Sequence, residues 1–168
     1  MTIIVLVFLA GCAGSPTRTD FSQLPRNDEH SVTPTQKDVI GTAQALLGTP
    51  YRFGGTTPKG FDCSGFVGYV FLQAAHLTLP RETYRMVLAG KPVSVAELAP
   101  ADLVYFKIDS QKPLHVGIYI GDGKFIHAPS TRGRVNVQHL DRDFWRTRYL
   151  GARRLIDTQN PIQTTLQK

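Results

Sequence analysis

The chain has 168 residues, is 42% hydrophobic, and carries a formal net charge of +6 with 19 Lys and Arg against 13 Asp and Glu. That supplies apolar material for one compact domain and little more, which excludes several independent cores within these residues. The positive balance favours an acidic polymer or anionic lipid surface, but no basic motif interleaved with aromatics accompanies it, so nucleic acid is not an expected partner.

Met1 to Ala10 are nearly all apolar and run into Leu9-Ala10-Gly11-Cys12. A stretch of this length is too short to span a bilayer, which takes about twenty residues, but it suits the apolar region of a secretory signal. Leu-Ala-Gly-Cys resembles the bacterial lipobox. Residues 1–11 are therefore expected to be a lipoprotein signal peptide and Cys12 a lipidated anchor, although no Lys or Arg precedes the apolar run. From Ala13 to about Thr35 the chain is rich in Ser, Thr, Pro, Asp and Asn. Such a composition cannot bury a core, so 12–35 reads as lipidated Cys plus flexible tether, with a root-mean-square reach of roughly 25 Å.

The folded domain is expected over 36–157, with a disordered tail at 158–168. Val39, Ala43, Leu46 and Leu47 fall at helical spacing, and Gly48-Thr49-Pro50 stops that helix. A Gly-rich loop, Tyr51 to Gly60, leads to Asp62, a good N-cap for a second helix carrying Phe66, Val67, Val70, Phe71 and Ala74. A short third helix is predicted over Glu82 to Leu88. The period then changes to two. Leu103–Phe106, His115–Ile120, Lys124–Ala128, Arg134–Gln138 and Tyr149–Leu155 read as strands, making an α+β domain with helices packed on an antiparallel sheet of about five strands. The late arginines (Arg132, Arg134, Arg142, Arg146, Arg148, Arg153 and Arg154) are diluted by Asp141 and Asp143 and read first as a solvated basic face.

Cys63 lies at the predicted start of the second helix, and with Cys12 lipidated it has no disulfide partner in an oxidising compartment. A thiol at a helix N-terminus beside an imidazolium has a lowered pKa and becomes a nucleophile. The N–H groups of Cys63 and Ser64 at the same helix end are candidate oxyanion donors. The hairpin Ile120-Gly121-Asp122-Gly123-Lys124 decides where the histidines go. A three-residue Gly-Asp-Gly loop opposes Gly117 to His127, puts His115 and His127 on one face, and leaves Val116, Ile118, Ile120, Ile126 and Ala128 as an apolar face; a two-residue loop would mix His127 into that row. His115 is then the candidate base and His127 the residue that holds its tautomer. His30, His76 and His139 have weaker claims. A buried structural cysteine and a zinc site made of Cys63, His115 and His127 stand as alternatives.

The ordered segments Pro50-Tyr51-Arg52-Phe53-Gly54-Gly55, Phe61-Asp62-Cys63-Ser64-Gly65-Phe66-Val67, Leu79-Pro80-Arg81, Asp102-Leu103-Val104, His115-Val116-Gly117-Ile118-Tyr119-Ile120-Gly121 and Phe125-Ile126-His127-Ala128 together resemble the NlpC family of bacterial cell-wall cysteine peptidases. The pattern is similar above all to its small lipoprotein members, the Spr-type murein endopeptidases. The resemblance implies a reduced papain-like fold, with Cys63 as nucleophile, His115 as base, His127 as orienter, and no metal or cofactor. It also implies Tyr51 at the oxyanion or substrate, and Arg81 either facing substrate carboxylates or pairing with an acid. The expected substrate is the peptidoglycan stem peptide, cut at the D-alanyl–diaminopimelate cross-link or the D-glutamyl–diamino-acid bond. The expected protein is a monomer, exported and lipid-anchored, in the outer membrane facing the periplasm. A catalytically silent wall-binding lipoprotein and an acyl transferase are the alternatives. Two positions depart from the family pattern: Ala101 stands where Gly is common, and Met86 where Gln is common.

Overall fold

The computed structural model describes residues 19–25, 32–109, 114–130 and 133–156. The expected signal peptide, Cys12, His30 and the 158–168 tail lie outside the described residues.

Helix α1 spans Pro34–Ala45 and starts two residues before the expected domain boundary. Thr33 accepts from the Gln36 N–H while the Gln36 side chain accepts from the Thr33 N–H, and Pro34 occupies the first turn. This reciprocal capping box, with proline where no N–H is needed, starts the helix locally. Part of the predicted tether is also ordered: Phe21–Gln23 form a 3-10 turn capped by Asp20, and Phe21 packs edge-on against Tyr149. A lone aromatic in a polar stretch had a place to bury that composition could not show.

The Gly-rich loop closes as a two-stranded ribbon, β1 (Thr56–Thr57) with β2 (Gly60–Phe61), and delivers the chain to helix α2 (Cys63–Ala75). Asp62 caps α2 as expected, accepting the Gly65 N–H at 2.7 Å. At its other end His76 adopts the left-handed conformation that terminates helices, which accounts for that histidine structurally. Helix α3 is shorter than predicted, Thr83–Met86.

The main sheet has six strands, one more than expected: β3 (Lys91–Val93), β4 (Leu103–Phe106), β5 (His115–Gly121), β6 (Lys124–His127), β7 (Asn136–His139) and β8 (Tyr149–Arg154), in the order β3-β8-β4-β5-β6-β7. All its pairings are antiparallel. The added strand, β3, is three residues long and contains Pro92 at the sheet edge, a position where proline is tolerated but gives no strand signal. A further short helix, α4 (Asp143–Arg146), precedes β8.

Both faces of the sheet are covered. Val116, Ile118, Ile126 and Ala128 join Val39 and Ala43 of α1 and Phe66, Val67 and Val70 of α2 in one core. Tyr119, Phe125, Val104 and Phe106 form a second core with Phe21, Leu140 and Trp145. Truncating one of the fully buried phenylalanines, such as Phe66, removes on the order of 3–5 kcal/mol.

The β5–β6 hairpin reaches the expected register by an unexpected turn. Ile118 faces Ile126 and Tyr119 faces Phe125, as the predicted pairing requires. Yet Gly121 pairs with Lys124, so the turn is the two-residue Asp122-Gly123, with both residues at positive φ (51° and 68°). A bulge between Tyr119 and Gly121 takes up the extra residue. The buried faces dictate the register, and the turn adapts to it. Ala101 carries a positive φ of 74° at the turn before β4, a strain on the order of 1 kcal/mol where glycine would have none. Met86 is buried in the core and touches no groove.

Candidate active site

Cys63 is the first residue of α2, and its thiol is half-buried at the point where this helix meets the start of β5. The backbone N–H groups of Ser64 and of Val116, the residue after His115, favour the charged form of the sulfur. Its side-chain partner is the Thr83 hydroxyl at 3.8 Å, rather than a histidine. Asp62 anchors the arrangement. Its carboxylate caps α2 through Gly65, takes the Gly54 N–H at 3.0 Å, and is gripped through both oxygens by the Arg81 guanidinium. Arg81 also donates to the Ser64 hydroxyl at 2.6 Å. Of the two roles considered for Arg81, the structure shows pairing with an acid, and the Ser64 side chain is buried in the same cluster. The cap consumes the Gly65 N–H and leaves those of Cys63 and Ser64 outside it.

Tyr51 is held by its N–H to Gly133 O at 2.8 Å and by a bridge to Phe61. Its phenol is half-buried, and its pKa is raised by burial and then by the nearby Cys63 and Asp62. Tyr51 thus lies close enough to feel the charges of Cys63 and Asp62.

The two histidines meet. His115 Nε2 lies 2.7 Å from His127 Nδ1, with the rings perpendicular. Trp145 stacks on His115 at 5.8 Å and meets His127 edge-on at 4.9 Å, covering one side of the pair. Both rings lie on the sheet face opposite α1 and α2, as the predicted register requires. Burial pushes the His115 pKa down to about 4. Burial, reinforced by His115, also holds His127 well below the ordinary value, although a bond to Asn136 acts the other way. Beside the pair opens a cavity of about 340 Å³ walled by Ile108, Arg142, Phe144 and Trp145.

Burial raises the Cys63 pKa above its ordinary value near 9, reinforced by the Asp62 charge, and the donors from Thr83, Ser64 and Val116 do not reverse this. The direction is opposite to the lowering expected from the helix end and the histidines. Taking a single charge out of water costs more here than the helix end returns. The sign of the pH effect follows directly. Alkylation of Cys63 by iodoacetamide rises close to tenfold per pH unit from pH 7 to 9 and shows no plateau below pH 7. A rate already maximal at pH 6 would mean that the ion pair preexists.

Among the described residues no three His, Cys, Asp or Glu side chains are grouped to hold a metal, so Cys63, His115 and His127 are not arranged as zinc ligands. No helix among them is long and apolar enough to cross a membrane. His139 lies in β7, outside the pair. Thr83, Asn136 and Trp145 surround the site without having been singled out from the sequence. Only the pairing of Asn136 with His127 across β6 and β7 had a signal, and the loop between those strands hid the register.

Comparison with known proteins agrees with this geometry. Residues 48–154 match the model of the NlpC/P60 family. The chain is 38% identical over 156 residues to the probable endopeptidase NlpC of Escherichia coli strain K12, covering 92% of this chain and 97% of that protein. It is 45% identical over 109 residues to the murein DD-endopeptidase MepS/murein LD-carboxypeptidase of the same strain, covering 65% and 57%. It spans as little as 31% of the length of other curated relatives. Among solved structures, an NlpC/P60 family protein from Bacillus cereus ATCC 10987 superimposes with a TM-score of 0.68 at 35% identity, covering 74% of this chain and 41% of that one.

Proposed function

The chain belongs to the NlpC/P60 family, and from that premise we propose that it is an exported, lipid-anchored cysteine endopeptidase that hydrolyses the D-alanyl–diaminopimelate cross-link of peptidoglycan. The observation that carries this reading is the 2.7 Å contact between His115 and His127, on the strand whose Val116 N–H acts on the Cys63 thiol. A neutral imidazole, oriented by a second one and adjacent to a thiol, is a general base.

His115 takes the Cys63 proton as the sulfur attacks the peptide carbonyl. The N–H groups of Cys63 and Ser64 with the Tyr51 hydroxyl receive the developing oxyanion. Collapse breaks the C–N bond, the proton on His115 passes to the leaving amine, and a thioester remains. Water, deprotonated by His115, attacks the thioester and frees the acid. The substrate carboxylates suit the net positive charge of the chain. Arg81, committed to Asp62, acts by fixing the helix start.

Purified protein incubated with a defined cross-linked muropeptide dimer, read by mass spectrometry, tests this. The expected products are two monomers that together gain one water. A cut between D-glutamate and the diamino acid would overturn the choice of bond. A product joined to an added amine would indicate transfer, and an intact dimer would leave a silent binding protein. Labelling with palmitate and loss of the label in Cys12→Ser test the anchor.

A further inference from the structure

In the acylation step the proton held by His115 passes to the leaving amine, so the leaving group is drawn toward the histidine side of the site. Against the histidine pair the structure has a cavity of about 340 Å³, walled in part by His115 and His127 themselves. Its lining is divided. Ile108, Phe144 and Trp145 make an apolar wall, and Arg142 is the one Lys, Arg, Asp or Glu among the described residues that line it.

Arg142 is fixed at its backbone and unengaged at its side chain. It precedes α4, where its carbonyl accepts the N–H groups of Trp145 at 2.9 Å and Arg146 at 2.8 Å. The arginines around it are occupied. Arg146 pairs with Asp143, Arg148 donates to the Ile108 carbonyl and lies over the Phe144 ring, and Arg134 donates to the Gly48 carbonyl. Among the described residues the Arg142 guanidinium has no such partner, although Asp141 and Asp143 flank it in sequence. A guanidinium left unpaired at a half-apolar cavity suits a carboxylate that arrives with a ligand.

The two candidate bonds differ in what their leaving amine carries. In the D-alanyl–diaminopimelate cross-link, the amine sits on a carbon whose own carboxylate is free. In the D-glutamyl–diamino-acid bond, the corresponding carboxyl is tied up as an amide wherever the stem peptide continues. Only the first leaving group brings an anion beside its amine, followed by a short methylene chain for the apolar wall.

We propose that the cavity beside His115 and His127 is the leaving-group subsite, and that Arg142 determines its specificity by binding the carboxylate on the carbon that bears the leaving amine. This rests on the reading of the chain as a cross-link endopeptidase, and it attaches the choice of bond to one side chain.

Trp145 is the only tryptophan in the chain and lines the cavity, so its fluorescence reads occupancy without turnover. Cys63→Ala protein is titrated with the amine-bearing product, the diaminopimelate tetrapeptide monomer, and with the same peptide amidated at the carboxyl beside that amine. A saturable change in emission is expected with the acid, and about tenfold weaker binding with the amide. That is the low end for a charged hydrogen bond, because the guanidinium is exposed to water. Arg142→Gln in the same background binds both peptides alike, at the weaker affinity. With Cys63 intact, Arg142→Gln lowers kcat/KM on the muropeptide dimer about tenfold, while a dimer amidated at that carboxyl is cut equally by both proteins. Equal affinity for acid and amide in the Cys63→Ala protein would overturn the proposal. So would an acid preference that survives Arg142→Gln, or Trp145 emission that does not respond to the acid. An Arg142-dependent acid preference in a protein that leaves the dimer intact would support the carboxylate site and remove the peptidase reading alone.

Discussion

Replacing Cys63 with alanine lowers cleavage of the muropeptide dimer by a factor of about 10⁴ or more, into the background of the assay, because no other group on the site can form the thioester. The same variant stays folded. The thiol is half-buried at the edge of the core, its side-chain hydrogen-bond partner is Thr83 at 3.8 Å, and the α2 cap is made by Asp62, which is untouched. Loss of the sulfur costs roughly 1 kcal/mol at most, measured as a urea midpoint close to that of the parent. Cleavage persisting in a folded Cys63→Ala protein would rule out the thioester route. Loss of folding would mean that the sulfur is a core group, the bland alternative for a lone cysteine at a helix start.

Gly65→Ala is expected to remove activity by a different route, through the backbone. A Cβ at Gly65 would run into the carbonyl oxygen of Gly55 and lie 3.1 Å from Asp62 Oδ1. Gly55 O is also the acceptor for the Asp62 N–H. Neither backbone can yield without separating the Tyr51–Gly60 loop from the helix that carries Cys63. Overpacking of this kind costs about 3 kcal/mol, near the upper end of the usual range, and lowers the melting temperature by roughly 10 °C. Activity falls more than stability, because Tyr51 and the Cys63 end of the helix are displaced relative to each other. A Gly65→Ala protein with parental melting temperature and rate would show that the loop is free to move and that the close approach is incidental.

These two sites mark how far the residues alone carried the argument. Asp62 as N-cap, Cys63 at the start of α2 and the apolar row Val116, Ile118, Ile126 and Ala128 were all readable, because capping and strand alternation are local. The facing of His115 and His127 was readable too, since a register shift of one residue would have buried an imidazole among the aliphatics of the helical core. The turn was not. Two-residue and three-residue loops differ by less than the cost of misplacing a buried face, and a bulge let the shorter loop serve the longer register. Strand β3 escaped for a related reason: three residues with a central proline carry no alternation, and their pairing comes from β8, some sixty positions later.

The direction in which the site shifts its thiol was harder to read. A helix start and two imidazoles pointed to a thiolate, because each is an electrostatic aid that can be recognised from neighbours in sequence. Burial works against them, and burial is a property of everything that packs around the site. Trp145 over both rings, Phe106 and Phe125 beside them and Thr83 against the sulfur come from four separate elements.

Chemistry-bearing residue types, their spacing and the helix and strand periods were legible along the chain, and with them the candidate nucleophile and base and the family. The neighbours of those residues were not: Arg81 paired with Asp62, Thr83 beside the thiol, and Asn136 facing His127 across β6 and β7. Side-chain hydrogen bonds across strands and between loops depend on distances that form when both cores close on the sheet, and no local pattern encodes them.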